Sequence, residues 1–283
     1  MSSVGIVCDS TCDLGMDWFD DNDVLMVPLK VMFGEETFLD WVDLSPTEFY
    51  RRLEDSSALP TTSQPTPAQF AEAYRSLADK GAREIVSIHL TAALSGTYES
   101  AAMAAKDAPV PVRVVNTNRV TQGTGLSVKA AVEARDAGKS GQDIEAIAID
   151  TAKRSHLFFV LDTLEYLVKG GRAGKAAGLA ASVLSIKPVL LFNDEGTIEP
   201  YSKERGTKNA YAALARHVAE LSQGARLRVV VFHAVSPDLA DELIAALDEA
   251  GVDYDLDSVG SVGAVIGTYA GPRAAGLAFY PLS

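Results

Sequence analysis

The chain has 283 residues, with 25 lysines and arginines against 38 aspartates and glutamates, a net charge of −13. Its 47% hydrophobic and 22% charged content excludes wholesale disorder, and its acidity argues against a nucleic-acid partner, because phosphates need a basic face. The length suits one large domain or two modest ones.

No stretch reaches the roughly 18 uninterrupted apolar residues of a membrane span, so no stable membrane insertion is expected. Met1-Ser2-Ser3 leads into Asp9 without the charged and long apolar regions of a secretion signal, which makes the cytoplasm the expected location. Cys8 and Cys12, spaced C-x3-C, lie beside no other ligand-type cluster, and His89, His156, His217 and His233 are scattered. No metal site, disulfide scaffold or cofactor is expected.

In chain order, buried strands are predicted at Val4–Cys8, Glu84–His89, Val112–Asn116, Leu157–Leu161 and Arg228–His233, each a short apolar run. Helices are predicted at 67–80, 96–107, 120–137, 205–222 and 237–250. Ser45-Pro46-Thr47-Glu48 is a capping box with proline at the first helical position, and Thr66-Pro67 repeats the cap-plus-proline signal. Hairpins are expected over Val24–Phe38, around Gly34, and over Lys187–Tyr201, around Asn193-Asp194-Glu195-Gly196. The alternation indicates an α/β protein with substantially parallel sheets. A helix end before the Leu157 strand divides it into an N-terminal domain, 1–153, and a C-terminal domain, 154–283.

Three apparent nucleotide or nucleophile motifs fail on inspection. Gly138-Lys139-Ser140 has Glu133 where a P-loop needs its first glycine, and reads instead as a helix end followed by a cap at Ser140. Gly123-Thr124-Gly125 has Val128 at the third glycine of a dinucleotide fingerprint. Ala93-Leu94-Ser95-Gly96-Thr97 lacks the first glycine of a nucleophile elbow.

Small hydroxylated residues do concentrate in three loops: Asp9-Ser10-Thr11, Thr61-Thr62-Ser63-Gln64-Pro65 and Leu94-Ser95-Gly96-Thr97-Tyr98. Open α/β sheets place ligands at such strand ends. The third loop opens a helix, where free backbone N–H groups and a Ser95 hydroxyl suit an anionic group, although plain capping explains it equally well. Lys169-Gly170-Gly171-Arg172 and Ser202-Lys203-Glu204-Arg205 each set an arginine beside flexible or helix-starting backbone. Guanidinium matches carboxylate and phosphate geometry, while the simpler reading is a solvated charge or ordinary salt bridge.

Taken together, Val7-Cys8-Asp9-Ser10-Thr11, Thr62-Ser63-Gln64-Pro65, Leu94-Ser95-Gly96-Thr97-Tyr98, Gly170-Gly171-Arg172 and Ile186-Lys187-Pro188 resemble, in order and spacing, the DegV proteins. These are bacterial fatty-acid-binding proteins that serve as the FakB component of fatty acid kinase, and the resemblance runs from about residue 4 to residue 280. It implies two α/β domains of DegV type, with a long-chain fatty acid held in a buried tunnel that ends near the domain interface. The resemblance further implies that the carboxyl is presented to a separate ATP-dependent, FakA-like kinase subunit and converted to an acyl phosphate, so that this chain is not itself the enzyme.

Carried over residue by residue, Thr62 and Ser95 match the hydroxyls that hold the carboxyl, with Ser10, Thr11, Ser63, Gly96 and Thr97 as nearby loop candidates. Arg172 and Arg205 match arginines near the tunnel mouth linked to the phosphorylated product or to kinase docking. The family pattern places a histidine and a glycine where this chain has Tyr269 and Arg273. A phenol can donate a hydrogen bond but carries no positive charge at neutral pH, whereas an imidazole can. An arginine at the glycine position would either restore a cation or block the mouth. Two alternatives follow: a lipid carrier no longer coupled to a kinase, and a Ser95-dependent hydrolase or phosphotransferase with His89 as its nearest base in sequence.

Overall fold

The computed structural model describes residues 3–179 and 186–282; Met1 and Ser2, at the start of the N-terminal segment discussed above, lie outside them. The elements of the first half are β1 (Val4–Asp9), α1 (Met16–Asp21), β2 (Val24–Val27), β3 (Lys30–Phe33), β4 (Glu36–Leu39), α2 (Pro46–Asp55), β5 (Thr61–Ser63), α3 (Pro67–Asp79), β6 (Glu84–His89), α4 (Thr97–Ala105), β7 (Val112–Asn116), α5 (Thr121–Asp136) and α6 (Gly141–Arg154). The second half holds β8 (His156–Val160), α7 (Glu165–Lys169), β9 (Ile186–Phe192), β10 (Ile198–Arg205), α8 (Thr207–Ser222), β11 (Leu227–His233), α9 (Pro237–Glu249), β12 (Tyr254–Ser261), α10 (Ala264–Ala270) and β13 (Ala275–Pro281).

The first sheet has the order β2-β1-β6-β7 and is parallel throughout. Its central strands are nearly continuous apolar runs because helices cover both faces. Ile6, Cys8 and Val86 pack with Val128, Ala131 and Ile144 of α5 and α6, while Val7 and Ile85 pack with Phe70, Tyr74 and Ala101 of α3 and α4 on the other side. The predicted caps form at atomic level, but the box expected at Ser45 is half-made, because the Glu48 carboxylate turns to Arg51 and Arg52. Ser45 accepts from Glu48 N, Thr66 forms a full capping box with Gln69, and Ser140 starts α6 by accepting from Asp143 N after Gly138 turns at φ 75°.

The second sheet, β10-β9-β8-β13-β11-β12, departs from the parallel expectation: β11 and β12 run parallel, and its other pairings are antiparallel. Two of these antiparallel pairings come from β9, which turns back along β8 and forward into its hairpin with β10, and two from the last strand. β13 inserts between β8 and β11, a long-range pairing that neither neighbour's apolar pattern encodes. The β9–β10 hairpin forms as expected, closed by a turn in which Gly196 N–H donates to Asn193 O. The other hairpin is narrower than expected. β2 joins β1 in the first sheet, and β3 and β4 alone pair around Gly34, forming with β5 a separate sheet of order β4-β3-β5. The fold is thus mixed α/β, with one sheet drawn from residues 4–116 and another from 156–281.

Candidate functional site

A cavity of about 470 Å³ opens between these parts, within the ~300–1,000 Å³ usual for small-molecule sites. Leu29, Leu90 and Val120 line it from the first half, and Phe159, Phe192 and Phe232 from the second. All six belong to one buried apolar cluster, so the cavity is a gap within the core. Their apolar periodicity is that of ordinary packing, which is why sequence alone did not mark them as lining residues.

Polar groups on its wall form two hydrogen-bonded sets joined by the backbone of residues 62–64. Thr62 lies on β5, and its hydroxyl shares a 2.6 Å hydrogen bond with the Tyr269 hydroxyl of α10. Arg172 lies over the Tyr269 ring, 4.9 Å from guanidinium carbon to ring centre, and donates to Gly170 O at 2.9 Å. Gly170 permits this stack, since a Cβ there would meet the Tyr269 ring at 2.5 Å. Two residues along the extended segment from Thr62, Gln64 donates to Gly96 O and to Ser100 Oγ, both at 3.1 Å. Ser95, half-buried beside Gly96, shares its hydroxyl with Thr97 Oγ1 at 2.9 Å. Thr62, Ser63, Gln64, Ser95, Gly96, Arg172 and Tyr269 all line the cavity. Gln64 went unnoticed as a site residue in the sequence, although it belongs to the same Thr-Ser-Gln-Pro segment as Thr62.

Other candidates stand elsewhere. Ser10 and Thr11 are fully buried and do not line the cavity: Ser10 Oγ accepts from Leu29 N at 3.1 Å, and Thr11 donates through both its N–H and its hydroxyl to Asp9. The Thr11 hydroxyl is spent on the turn after β1, and the Ser10 hydroxyl on holding the segment that follows β2. Thr97, also buried, begins α4, so its contribution is the hydroxyl contact to Ser95; Gly96 is the N-cap. Arg205 is exposed at the end of β10, away from the cavity lining. Arg273 points outward, 55% exposed, to an ion pair with Asp238 at 3.3 Å, and so neither blocks the cavity nor supplies it with a cation. Its φ of 55° is the left-handed conformation that glycine adopts without strain.

His89 is fully buried, with Nδ1 at 3.0 Å from Asp9 Oδ2 and Nε2 at 2.7 Å from Ser87 Oγ. Both ring nitrogens are engaged by groups other than Ser95, which removes His89 as a base for that serine. Among the described residues no helix is long and apolar enough to cross a membrane, and no group of three or more histidines, cysteines or acids could hold a metal ion. Cys8 and Cys12 are free, buried thiols with sulfurs 3.7 Å apart.

The family model of the uncharacterised DegV proteins matches residues 3–282. A DegV domain-containing protein of Streptomyces coelicolor is 38% identical over 274 residues, covering 97% of each chain. Among solved structures, a DegV family protein from Thermus thermophilus described as binding fatty acid superposes with a TM-score of 0.93 at 33% identity over the full length of both chains. DegV from Bacillus subtilis, described as a fatty acid binding protein, gives 0.86 at 30% identity, again over both full lengths.

Proposed function

We propose that this chain, which belongs to the DegV family, holds one long-chain fatty acid in the cavity, with its carboxyl against Thr62 and Ser95, and presents it to a separate ATP-dependent kinase subunit. The observation that carries the reading is the joining of an apolar cavity to a hydroxyl-rich patch. A tail of roughly fifteen methylenes at about 0.8 kcal/mol each supplies on the order of 12 kcal/mol gross on burial. Two hydrogen bonds to the carboxyl add only about 1–3 kcal/mol. The tail therefore holds the molecule, and the hydroxyls decide where its acid end points. Serine, threonine and tyrosine hydroxyls donate or accept, so the patch suits either protonation state of the acid.

On this reading the chain itself performs no catalysis. It divides near 153/154, with the cavity between the two parts, and works in the cytoplasm, where ATP supplies the kinase. Arg172, held beside Tyr269, is placed to meet the added phosphate of an acyl phosphate, for which a guanidinium is well matched. Carboxyl-labelled oleate followed by carbon NMR tests the placement: its resonance should shift on binding, and the shift should change in Thr62→Val. Incubation with ATP and a fatty acid kinase subunit, then trapping with hydroxylamine, should yield the hydroxamate. Oleate that binds without either response would leave a carrier with no such presentation.

A further inference from the structure

Helix α10 forms one wall of the cavity through Val265, Ile266, Tyr269 and Ala270. Its own N-cap, Gly263, has no side chain to hold the first turn. Two aspartates from the other end of the chain do so instead. Asp13 Oδ1 accepts from Gly263 N at 3.0 Å and from Trp41 Nε1 at 3.1 Å. Asp40 Oδ1 accepts from Ala264 N at 2.9 Å and Val265 N at 3.4 Å. At its far end the helix is tied down by the bond from Tyr269 to Thr62.

Both carboxyls are buried, at 2% and 0% exposure, and neither forms an ion pair among the described residues. Each leaves its Oδ2 without a hydrogen-bond partner, as does the buried Tyr50 hydroxyl. Two acids buried together with no cation are held more firmly with a proton than without one, because burial outweighs the backbone amides that favour the carboxylate.

We propose that Asp13 and Asp40 are positioning residues of the ligand site: by anchoring the start of α10 they keep Tyr269 closed over Thr62, and a proton on the pair tightens that anchor. The claim for the helix stands on the anchor geometry, and its extension to ligand retention rests on the acyl reading above. The titratable groups facing the pair are Tyr50 from α2, Asp9 at the end of β1 and Cys12 in the turn that follows; Asp9 is in turn paired with His89. Burial first, then the neighbouring Asp40, pushes Asp13 well above the usual carboxylate range. Burial pushes Asp40 from 3.8 to about 6, against the pull of Ser10 and the two helix amides.

Undocking α10 returns Asp40 to water and its ordinary value, so the proton is bound more tightly in the docked state. Docking is then favoured below pH 3.8 and loosens as pH rises through about 6. Between pH 5 and pH 7.5 the opening equilibrium should grow about tenfold through Asp40.

The test is amide hydrogen exchange along α10 in the full chain stripped of lipid, corrected for the intrinsic pH dependence of exchange, in wild type, Asp40→Asn and Asp40→Ala. Asparagine keeps the acceptor and removes the titration; alanine removes both. Asp40→Asn should show a rise in opening about tenfold smaller than wild type over this range, the remainder coming from Asp13, and Asp40→Ala fast exchange at every pH. Oleate dissociation should follow the same order, and the ligand's own titration cancels when wild type is compared with Asp40→Asn. Matching profiles for wild type and Asp40→Asn would overturn the proposal even if Asp40→Ala fails to fold. Failure of the acyl reading would appear differently, as no oleate retained by any of the three, with the exchange profiles still deciding the anchor.

Discussion

Removing the two head-group hydroxyls separates what holds a fatty acid from what aims it. In Thr62→Val the Tyr269 hydroxyl loses its 2.6 Å partner, and in Ser95→Ala the Thr97 hydroxyl loses its 2.9 Å contact. On the proposed placement, each substitution also removes one hydrogen bond to the carboxyl. At about 1–1.5 kcal/mol per bond, the double variant should lose roughly 2–3 kcal/mol of binding, or about 30- to 140-fold in Kd. The apolar walls are untouched, so the ~12 kcal/mol gross from the tail remains and binding should weaken without vanishing. Displacement of a fluorescent sixteen-carbon acid by palmitate, with melting curves to confirm folding, measures this directly. A folded double variant that binds within twofold of wild type would remove Thr62 and Ser95 from the site. Complete loss of binding would show that the head group, and not the tail, dominates.

Tyr269→His should alter acyl phosphate formation with a cognate kinase more than it alters fatty acid retention, because it changes the charge available at the patch while leaving the apolar walls intact; equal kinase-coupled rates in both forms would defeat this. Gly276→Ala should cost about 3 kcal/mol in a urea melt, since its Cβ would fall on the Phe158 carbonyl oxygen and 2.6 Å from the Phe232 ring in the middle of the second sheet. A cost below about 1 kcal/mol would mean the strand gives way more easily than the packing implies. Asp40→Asn should remove a pH dependence of stability. Because the folded-state value lies above the ordinary one, wild type gains stability from the proton below pH 3.8 and loses about 3 kcal/mol of it as pH rises through about 6. Urea melts at pH 4 and pH 7 should show a loss about 2 kcal/mol smaller in the variant than in wild type, with Asp13 still titrating in both.

The first sheet was readable because Glu84–His89 and Val112–Asn116 are short segments rich in valine and isoleucine set between helical stretches, the pattern of strands alternating with crossover helices. The second sheet was harder for an equally physical reason. Strand β12 is half-exposed and carries Asp255 and Asp257, so it shows no buried run, and the direction of β13 depends on partners more than 40 residues away in the chain. At the site, Thr62, Ser95, Arg172 and Tyr269 all line one cavity. Ser10 and Thr11 have the same residue types in the same kind of loop, yet Asp9 and Leu29 take up their hydroxyls. Composition cannot tell a hydroxyl offered to a ligand from one spent on a turn. The paired anchor at Asp13 and Asp40 was silent because its partners are backbone amides more than 220 residues away.

The most direct measurement is native mass spectrometry of the purified chain, before and after organic extraction and again after adding oleate. One acyl chain per protein molecule, lost on extraction and restored by oleate, is the predicted result. A folded chain that carries no acyl species and takes up none would contradict the account.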